Sequence, residues 1–378
     1  MPKANSRKKK NVNKNRVTVL IAAVLLIAAL AAGIFLFGKF KDDSADETTA
    51  STAQPTTQTS TTQAETVKLK NPLTGVDGLS DTAAGKRPIA VVVENSPAAR
   101  PQWGLCSADI VIEGVVEGGI TRMLWLYADV NAIPKVGPLR SARHDFVEMA
   151  EGLDAIFVHW GWSNIAEAAI NARKVDHING LNGEYFFRDN TRNVDSEHRG
   201  YTDGINIARA ISDKKFDMQT GASYAAPFKF VGNNAPATPS GGLCQSVSFE
   251  FSSSYKHEFK YNTGESLYYN YMNASPMLED GGKQMAVTNV IVLYCPVSVA
   301  DAAGHMEMDL TGGSGLYVSN GASETITWKK GNTPDAMLKL FASDGSELQL
   351  NQGKSYIGLV PAAQSGKTLI VTGETPTE

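Results

Sequence analysis

The stretch ADIVIEGVVEGGITRMLWLYADV, from Ala108 to Val130, contains two runs of apolar and β-branched residues separated by a Gly-Gly pair. Such runs, bounded by glycine, proline or asparagine, are typical of buried strands. We therefore predict strands over Ala108–Val116 and Thr121–Val130. Two more runs of the same kind, Arg87–Asn95 and Asp154–Gly161, predict two further strands in this part of the chain.

Three segments with helix signals lie among and after these strands. A helix is predicted between Ser141, as its N-cap, and Gly152, as its stop, and others over Ser163–Lys174 and Asp203–Phe216. Strands and helices mix without a strict β-α-β order, which favours a layered α+β domain over a doubly wound sheet. From about Phe228 the pattern changes to short strands and hairpin turns, so the second domain is predicted to be mostly β.

The N-terminal region resembles a membrane anchor followed by a stalk. Residues 1–16 carry seven Lys or Arg and no acid, and residues 17–38 carry no charge. At 1.5 Å per residue the uncharged run spans about 33 Å, enough to cross a bilayer, with the basic flank in the cytoplasm. A cleaved signal peptide is the alternative, although its apolar core is usually shorter. Residues 39–66, rich in Thr and Ser, are predicted to be a disordered stalk.

Beyond the stalk we predict an α+β domain over 67–225 and a β-rich domain over 226–378. From Asp42 onward there are 26 Lys plus Arg (35 minus the nine up to Lys41) against 39 Asp plus Glu, a balance of −13. So acidic a chain argues against nucleic acid as a partner. The three cysteines indicate buried thiols, with a single Cys244–Cys295 bridge as the alternative.

The two predicted domains differ in their basic residues. All ten arginines beyond the stalk lie between Arg87 and Arg209, whereas residues 210–378 contain eleven lysines and no arginine. Because guanidinium groups suit partly buried, bidentate contacts, structured polar chemistry is expected in the first domain.

Three side chains are candidates for acid/base catalysis: Glu117, Glu113 and His159. The two glutamates are four residues apart on a predicted strand, on one face and about 13 Å apart. That separation exceeds the roughly 5–9.5 Å used by paired carboxylates in glycosidases, so a pair acting on one bond would need a bulge. Glu117 alone, next to the Gly-Gly pair, or His159 at a strand end, is then the candidate acid or base. The alternative is that the glutamates pair with Arg122 or Arg140 and hold the fold.

The segment GPLRSARHDF, Gly137–Phe146, places positive charge at the start of a predicted helix. Arg140, Arg143 and His144 would oppose the helix dipole unless a negative group lies between them. That group is either internal, one of the two glutamates, or external, a phosphate or carboxylate of a ligand. The sequence leaves both possibilities open.

A long polar connection, Phe186–Gly204, supplies the remaining candidates for ligand binding: Arg188, Arg192 and His198. Loops of this length in compact domains are often functional, and a mobile surface loop is the alternative. We expect the cations of the predicted helix to converge with Arg122, Arg188 or His198 on one concave surface, with Glu117 or Glu113 as the internal counter-charge. No metal site and no cofactor are predicted, because the histidines lack ligand spacing and the nucleotide-binding motifs are absent.

Several segments together resemble the YerB-like family of bacterial envelope proteins, whose members are named as lipoproteins. They are NPLTG, RPIAVVVEN, ARPQWGLCSADIVIEGVVEGGITRMLWLY, VGPLRSARHDF, DAIFVHWGWS and FFRDNTRNVDSEHRGYT, with NVIVLY and GSELQLNQGKSYIGLVP in the second domain. The resemblance covers roughly Asn71 to Pro361 and implies a two-domain fold outside the cytoplasm, with no settled activity. This chain departs from the family in two places: no lipid-bearing cysteine follows the apolar run, and HWGW stands where the family has a glycine-rich turn.

Two functions are compatible with these features. One is an enzyme that cleaves a glycan or phosphate-bearing polymer of the cell wall, with arginines clamping the anion. The other is a non-catalytic scaffold that binds wall polymer or an envelope protein. An open cleft lined by the arginines would favour the enzyme, and a closed network of ion pairs would favour the scaffold.

Overall fold

The structure is a computed structural model that describes residues 68–221, 226–232 and 236–373. The predicted cytoplasmic tail, transmembrane anchor and stalk lie outside these residues. Within the part that is described, no helix is both long and apolar enough to cross a membrane. Residues Thr66–Glu378 form one compact unit.

Ten strands form a single mixed sheet at the centre of this unit. In spatial order they are β19 (Lys339–Phe341), β18 (Ala322–Lys329), β17 (Gly313–Ser319), β14 (Asn289–Cys295), β21 (Ser355–Pro361), β2 (Ile110–Val115), β3 (Thr121–Tyr127), β1 (Ile89–Glu94), β4 (Ile156–His159) and β5 (His177–Asn179). Strands β1 to β4 lie within the four predicted runs. Each of these four strands is buried along its whole length because both faces of the sheet are covered.

The central sheet joins the two halves of the chain. Strand β21 runs parallel to β2 on one side and to β14 on the other, with Ile357 opposite both Ile112 and Ile291. The N-terminal and C-terminal regions therefore share one sheet.

A second sheet and several two-stranded ribbons complete the β structure. The second sheet contains β12 (Ser275–Pro276), β11 (Leu267–Met272), β10 (Tyr255–Asn262), β9 (Ser246–Ser252) and β22 (Leu369–Val371) in this order, with β13 (Ala286–Val287) also paired to β11. The ribbons are β15 (Val297–Val299) with β16 (Met306–Met308), β20 (Gln349–Leu350) with β8 (Lys229–Phe230), and β6 (Phe187–Arg188) with β7 (Gly200–Tyr201).

All α-helices of the described residues lie in the N-terminal half: α1 (His144–Glu151), α2 (Asn164–Arg173) and α3 (Gly204–Lys214). Short 3-10 turns occur at Pro97–Ala99, Leu105–Ser107, Glu117–Gly119, Val130–Ala132, Gly180–Asn182, Ser196–His198 and Ala362–Lys367. After residue 226 the regular structure of the described residues is thus strand, with the 3-10 turn Ala362–Lys367, which agrees with the predicted change of pattern. The whole is mixed α/β with a largely β C-terminal region.

The N-terminal ends of α1 and α2 differ from each other. Ser163 caps α2 as predicted, since its side chain accepts the N–H of Ala166 at 3.2 Å. The prediction that Ser141 caps α1 is wrong, because Arg143 is the N-cap residue and the helix begins at His144. The backbone of Ala142 hydrogen-bonds to Gly161 and Ser163, which keeps the preceding residues extended beside the end of β4.

Two apolar cores lie on the two faces of the central sheet. On one face, Val91, Trp125 and Tyr356 pack against the second sheet and α3. On the other face, Leu124 and Ile357 pack against α1 and α2. The central sheet is therefore the middle layer of three. The three cysteines are free thiols, with Cys244 and Cys295 buried.

Candidate functional site

Three arginines, Arg122, Arg140 and Arg143, come together where β3 begins, near the start of α1; we call them the arginine cluster. Arg143 holds Glu117 with two hydrogen bonds, one from Nε to Oε2 at 2.9 Å and one from Nη2 to Oε1. Its Nη1 donates to the carbonyl of Ala142 at 2.9 Å. The guanidinium of Arg143, the N-cap residue, is therefore neutralised by Glu117, a carboxylate of the same chain.

Arg122 approaches the same carboxylate from β3. Its Nη2 lies 3.6 Å from Glu117 Oε1, and its Nη1 donates to the carbonyl of Ser141 at 2.8 Å. Burial, and then the positive charge of Arg143, lower the pKa of Arg122 to about 9. The guanidinium thus remains charged at neutral pH although it is buried.

Glu117 is strongly held in its ionised form. Burial alone would raise its pKa, but the hydrogen bonds from Arg143 and the charges of Arg122 and Arg143 outweigh burial and lower the pKa to about 2. Glu117 is not on the strand with Glu113, because β2 ends at Val115 and Glu117 begins a 3-10 turn. The expected 13 Å spacing along one strand therefore does not apply.

Arg140 belongs to a neighbouring group built around Glu94, at the end of β1. Arg140 Nε lies 3.3 Å from Glu94 Oε1, and its Nη2 lies 3.1 Å from Glu197 Oε1. Glu94 is buried and also contacts His198 Nδ1 at 2.9 Å and the hydroxyl of Ser96 at 2.8 Å. Each guanidinium of the arginine cluster therefore has a carboxylate partner within the chain.

The structure separates Glu113 from the arginine cluster. Glu113 is fully buried and accepts hydrogen bonds from Asn95 Nδ2 and the Tyr356 hydroxyl, both at 2.9 Å. His257 Nε2, from β10, lies 3.3 Å away. Burial alone raises the pKa of Glu113, but the charge of His257 and the hydrogen bonds from His257, Thr121 and Tyr356 outweigh burial and lower the pKa. The pKa of His257 is raised in turn by Glu113, against its own burial. The two form an ion pair sealed between the central and second sheets.

His159 is also enclosed. Its Nδ1 lies 2.7 Å from the carbonyl of Gly161 and its Nε2 lies 2.9 Å from His177 Nδ1. Burial lowers the pKa of His159 to about 3, so the imidazole is neutral. Its position at the end of β4 agrees with the prediction, but it does not contact the arginine cluster.

Three predicted ligand-binding residues lie elsewhere. His144 lies 3.6 Å from Asp145 Oδ1 on the β16 side of α1, and burial lowers its pKa. Arg188 stacks over the ring of Trp160 at 4.6 Å. Arg192 donates to the carbonyls of Ala98, Ala99 and Arg100, and so fixes the 3-10 turn after β1.

The structure thus brings together Arg122, Arg140, Arg143, His198 and Glu117, and leaves out Glu113, His159, His144, Arg188 and Arg192. Sequence reasoning missed Glu94 and His257. The signal for Glu94 was an acid that closes the apolar run IAVVVE, where a buried charge needs a partner. His257 had no such signal, because its partner is 144 residues away.

Neither a metal centre nor an active thiol is found among the described residues. No group of three or more His, Cys, Asp or Glu side chains there could hold a metal ion. Burial raises the pKa of Cys106 and of Cys295 to about 12, so both thiols are protonated at neutral pH.

Comparisons with known proteins match both halves of the chain. Residues 73–217 match the N-terminal domain, and residues 247–357 the C-terminal domain, of the family described as "Protein of unknown function (DUF3048)". A Bacillus subtilis protein, "Putative lipoprotein YerB", is 33% identical over 303 residues, which cover 78% of this chain and 87% of that protein. The chain belongs to the DUF3048 family.

A solved structure supports the same assignment. The crystal structure of YerB from Bacillus subtilis matches with a TM-score of 0.70 and 31% identity, over 80% of this chain and 100% of the solved chain. The resemblance to the YerB-like family noted from the sequence is therefore confirmed. The two-domain layout of the DUF3048 family is present here, with the sheet continuous between the domains.

Proposed function

We propose that this chain is a non-catalytic binding protein of the cell envelope, tethered to the membrane by its N-terminal segment with the folded part outside the cytoplasm. The uncharged run at 17–38 behind a basic tail supports the tether, as does similarity to a protein named as a lipoprotein. The observation that carries the proposal is the closure of the arginine cluster on its own carboxylates.

The three candidate acid/base groups lack what catalysis needs. A general acid or base works best when its pKa lies near the working pH. The pKa of Glu117 is about 2, so it has no proton to donate at neutral pH and is a weak base. Glu113 and His159 have no exposed surface through which a substrate could reach them. The arginines, in this proposal, hold the fold, and recognition takes place on another surface.

The partner is expected to be an envelope component that is not a polyanion. The balance of −13 charges beyond Lys41 would repel a phosphate-bearing polymer at low ionic strength. An envelope protein, an uncharged wall glycan or a small apolar ligand would meet no such barrier.

Residues 66–378 incubated with purified wall fractions test the proposal. We expect protein in the pellet and no soluble fragment of the wall in the supernatant by mass spectrometry. Protease treatment of the wall fraction separates a protein partner, whose binding is lost, from a glycan, whose binding remains. Release of wall fragments by the wild type but not by a Glu117→Gln variant would show an enzyme and reject the proposal.

A further inference from the structure

Strand β22, Leu369–Val371, forms an edge of the second sheet and is apolar along its whole length. It pairs with β9 on one side, and no strand of the described residues pairs with its other side. Leu369, Ile370 and Val371 are 62%, 41% and 43% exposed. Because an edge strand presents unpaired N–H and C=O groups, an exposed apolar edge is a template for pairing with another chain.

The other edges of the two large sheets are protected against such pairing. Strand β12, at the opposite edge of the second sheet, is two residues long and contains Pro276, which has no N–H to donate. In the central sheet, the edge strand β19 carries the exposed Lys339, and two of the three residues of the edge strand β5 are buried. Among the described residues, β22 is therefore the one edge of these sheets that has neither proline, nor charge, nor cover.

The sequence of β22 is complementary to itself in an antiparallel pair. When two copies pair about Ile370, the two Ile370 residues lie opposite each other, and Leu369 of each copy lies opposite Val371 of the second copy. All three cross-strand pairs are then apolar, and contacts of this kind are the ones that stabilise neighbouring strands. The same pairing removes the apolar side chains from water and satisfies the free backbone groups of the edge.

The position of Lys367 favours an antiparallel pair of copies over a parallel one. Lys367 directly precedes β22 on the chain, and 53% of its side chain is exposed. In an antiparallel pair about Ile370, the two Lys367 residues lie at opposite ends, about 20 Å apart for six residues at 3.4 Å each. A parallel pair in register would place the two ammonium groups side by side, which is destabilising.

The charges beside β22 are balanced, although the chain as a whole is acidic. Glu250, on the neighbouring strand β9, lies 2.7 Å from Lys256 and 3.0 Å from Lys367. Glu258 lies 3.4 Å from Lys260 on β10. The repulsion expected between two acidic molecules is therefore weakest at this part of the surface.

We infer that β22 is a dimerisation strand, and that two copies of this chain pair antiparallel about Ile370 and join their second sheets into one. A two-fold axis repeats every contact, so a single short strand contributes to the interface from both copies. The strand has three residues, so the interface is small and the dimer exchanges with monomer in solution. The inference does not depend on what the chain binds in the envelope.

Disulfide crosslinking tests the pairing and its centre. The test uses residues 66–378, the compact unit, since 80% of this chain matches the whole length of a relative that was crystallised. Cys106 is changed to serine, and the other two cysteines are buried. We expect Ile370→Cys to form a linked dimer on mild oxidation, because facing residues of an antiparallel pair have Cα atoms about 4.5–5.5 Å apart, within disulfide range.

Two controls accompany this variant. Val299→Cys places the thiol on an apolar side chain that is 64% exposed, in the β15–β16 ribbon, and should remain monomeric. Leu369→Cys should crosslink poorly by itself but efficiently when mixed with Val371→Cys, because these two positions face each other only between copies.

Association without a crosslink is measured by sedimentation velocity over a wide range of protein concentration. We expect the wild type to dimerise and Ile370→Lys to weaken dimerisation about ten-fold or more, because it sets two ammonium groups opposite each other on the edge. Val299→Lys, the matched control, should dimerise as the wild type does. Both positions are exposed, so an unchanged melting temperature verifies that the variants are folded.

Three results would overturn the inference. They are a wild type that stays monomeric at its highest soluble concentration, equal crosslinking of Ile370→Cys and Val299→Cys, and dimerisation of Ile370→Lys equal to that of the wild type. The first is also the result expected if β22 pairs with a strand of another protein and not with a second copy. None of them changes the outcome of the wall-fraction experiment, and release of wall fragments would leave the dimer unaffected.

Discussion

At the scale of single residues, Arg143 and Arg188 represent the two kinds of arginine in the N-terminal region. Arg143 is buried and bonded to Glu117 and to the backbone, whereas Arg188 is exposed and stacks on Trp160. Removing Arg143 takes two hydrogen bonds from Glu117, which then keeps Arg122, at 3.6 Å. Losing hydrogen bonds to a charged, partly buried group is more costly than losing an exposed contact.

We therefore predict that Arg143→Ala lowers the free energy of unfolding by about 1–3 kcal/mol, and Arg188→Ala by clearly less. Urea unfolding followed by circular dichroism measures both. Equal, small losses would mean that the pairing of Glu117 contributes nothing to stability.

The pH dependence of stability separates a buried neutral histidine from a catalytic one. The pKa of His159 is about 3 in the folded state, below its ordinary value of 6.5. The unfolded chain therefore binds this proton first as the pH falls. The contribution of His159 to stability is present above pH 6.5 and is lost progressively as the pH falls toward 3.

We predict that the wild type loses stability more steeply than His159→Gln between pH 6.5 and 4, by at most about 1.4 kcal/mol per pH unit. Urea midpoints across this range give the two slopes. Parallel slopes would mean that His159 titrates alike in both states.

Much of the pairing in the arginine cluster could be anticipated, since cations at a helix start require a negative group and Glu117 was one of the two candidates. The remainder could not. Glu113 and Glu117 are four residues apart, and strand β2 ends between them. Glu113 is therefore buried between the two sheets, whereas Glu117 lies in the 3-10 turn that follows the strand. The hydrophobic periodicity of a sequence predicts that a strand is present, but it does not predict the residue at which the strand ends.

At the scale of elements, the starts of α1 and α2 offer a matched comparison. The Ser163 side chain caps α2, whereas Ser141 lies before α1 and its hydroxyl donates a long hydrogen bond to the carbonyl of Trp160, at 3.4 Å. We predict that Ser163→Ala costs about 1 kcal/mol of stability and that Ser141→Ala costs clearly less. Thermal unfolding of the two variants is the measurement, and a larger loss for Ser141→Ala would contradict the assignment of the caps.

Strands β1 to β4 and all three helices could be placed from the sequence, because each has a strong local pattern and a clear boundary signal. The start of α1 could not, because Ala142 pairs with the chain at Gly161 and this contact overrides the local cap preference. The pairing of the strands could not be predicted either, because β21 pairs with β2 through tertiary packing, which the local sequence does not encode.

At the scale of the whole molecule, the shared sheet and the ion pair of Glu113 with His257 couple the two family domains. A fragment of residues 226–378 would leave β21 without β2 and His257 without its carboxylate. We predict that residues 66–378 unfold in one cooperative transition and that the fragment has none. Calorimetry tests this through the ratio of van't Hoff to calorimetric enthalpy, expected near one. Two separated transitions would show that the domains fold independently.

The place of β21 in the central sheet also has a consequence for how this protein is made. Tyr356 and Glu113, which meet across β21 and β2, are 243 residues apart in the chain. At 5–20 residues per second, a ribosome adds that length in roughly 12–50 s. Throughout this interval the nascent N-terminal half has an open strand edge and an uncovered apolar face, both prone to aggregation. Chaperones that hold nascent or exported chains would therefore act on this half, before the last strand of the sheet emerges.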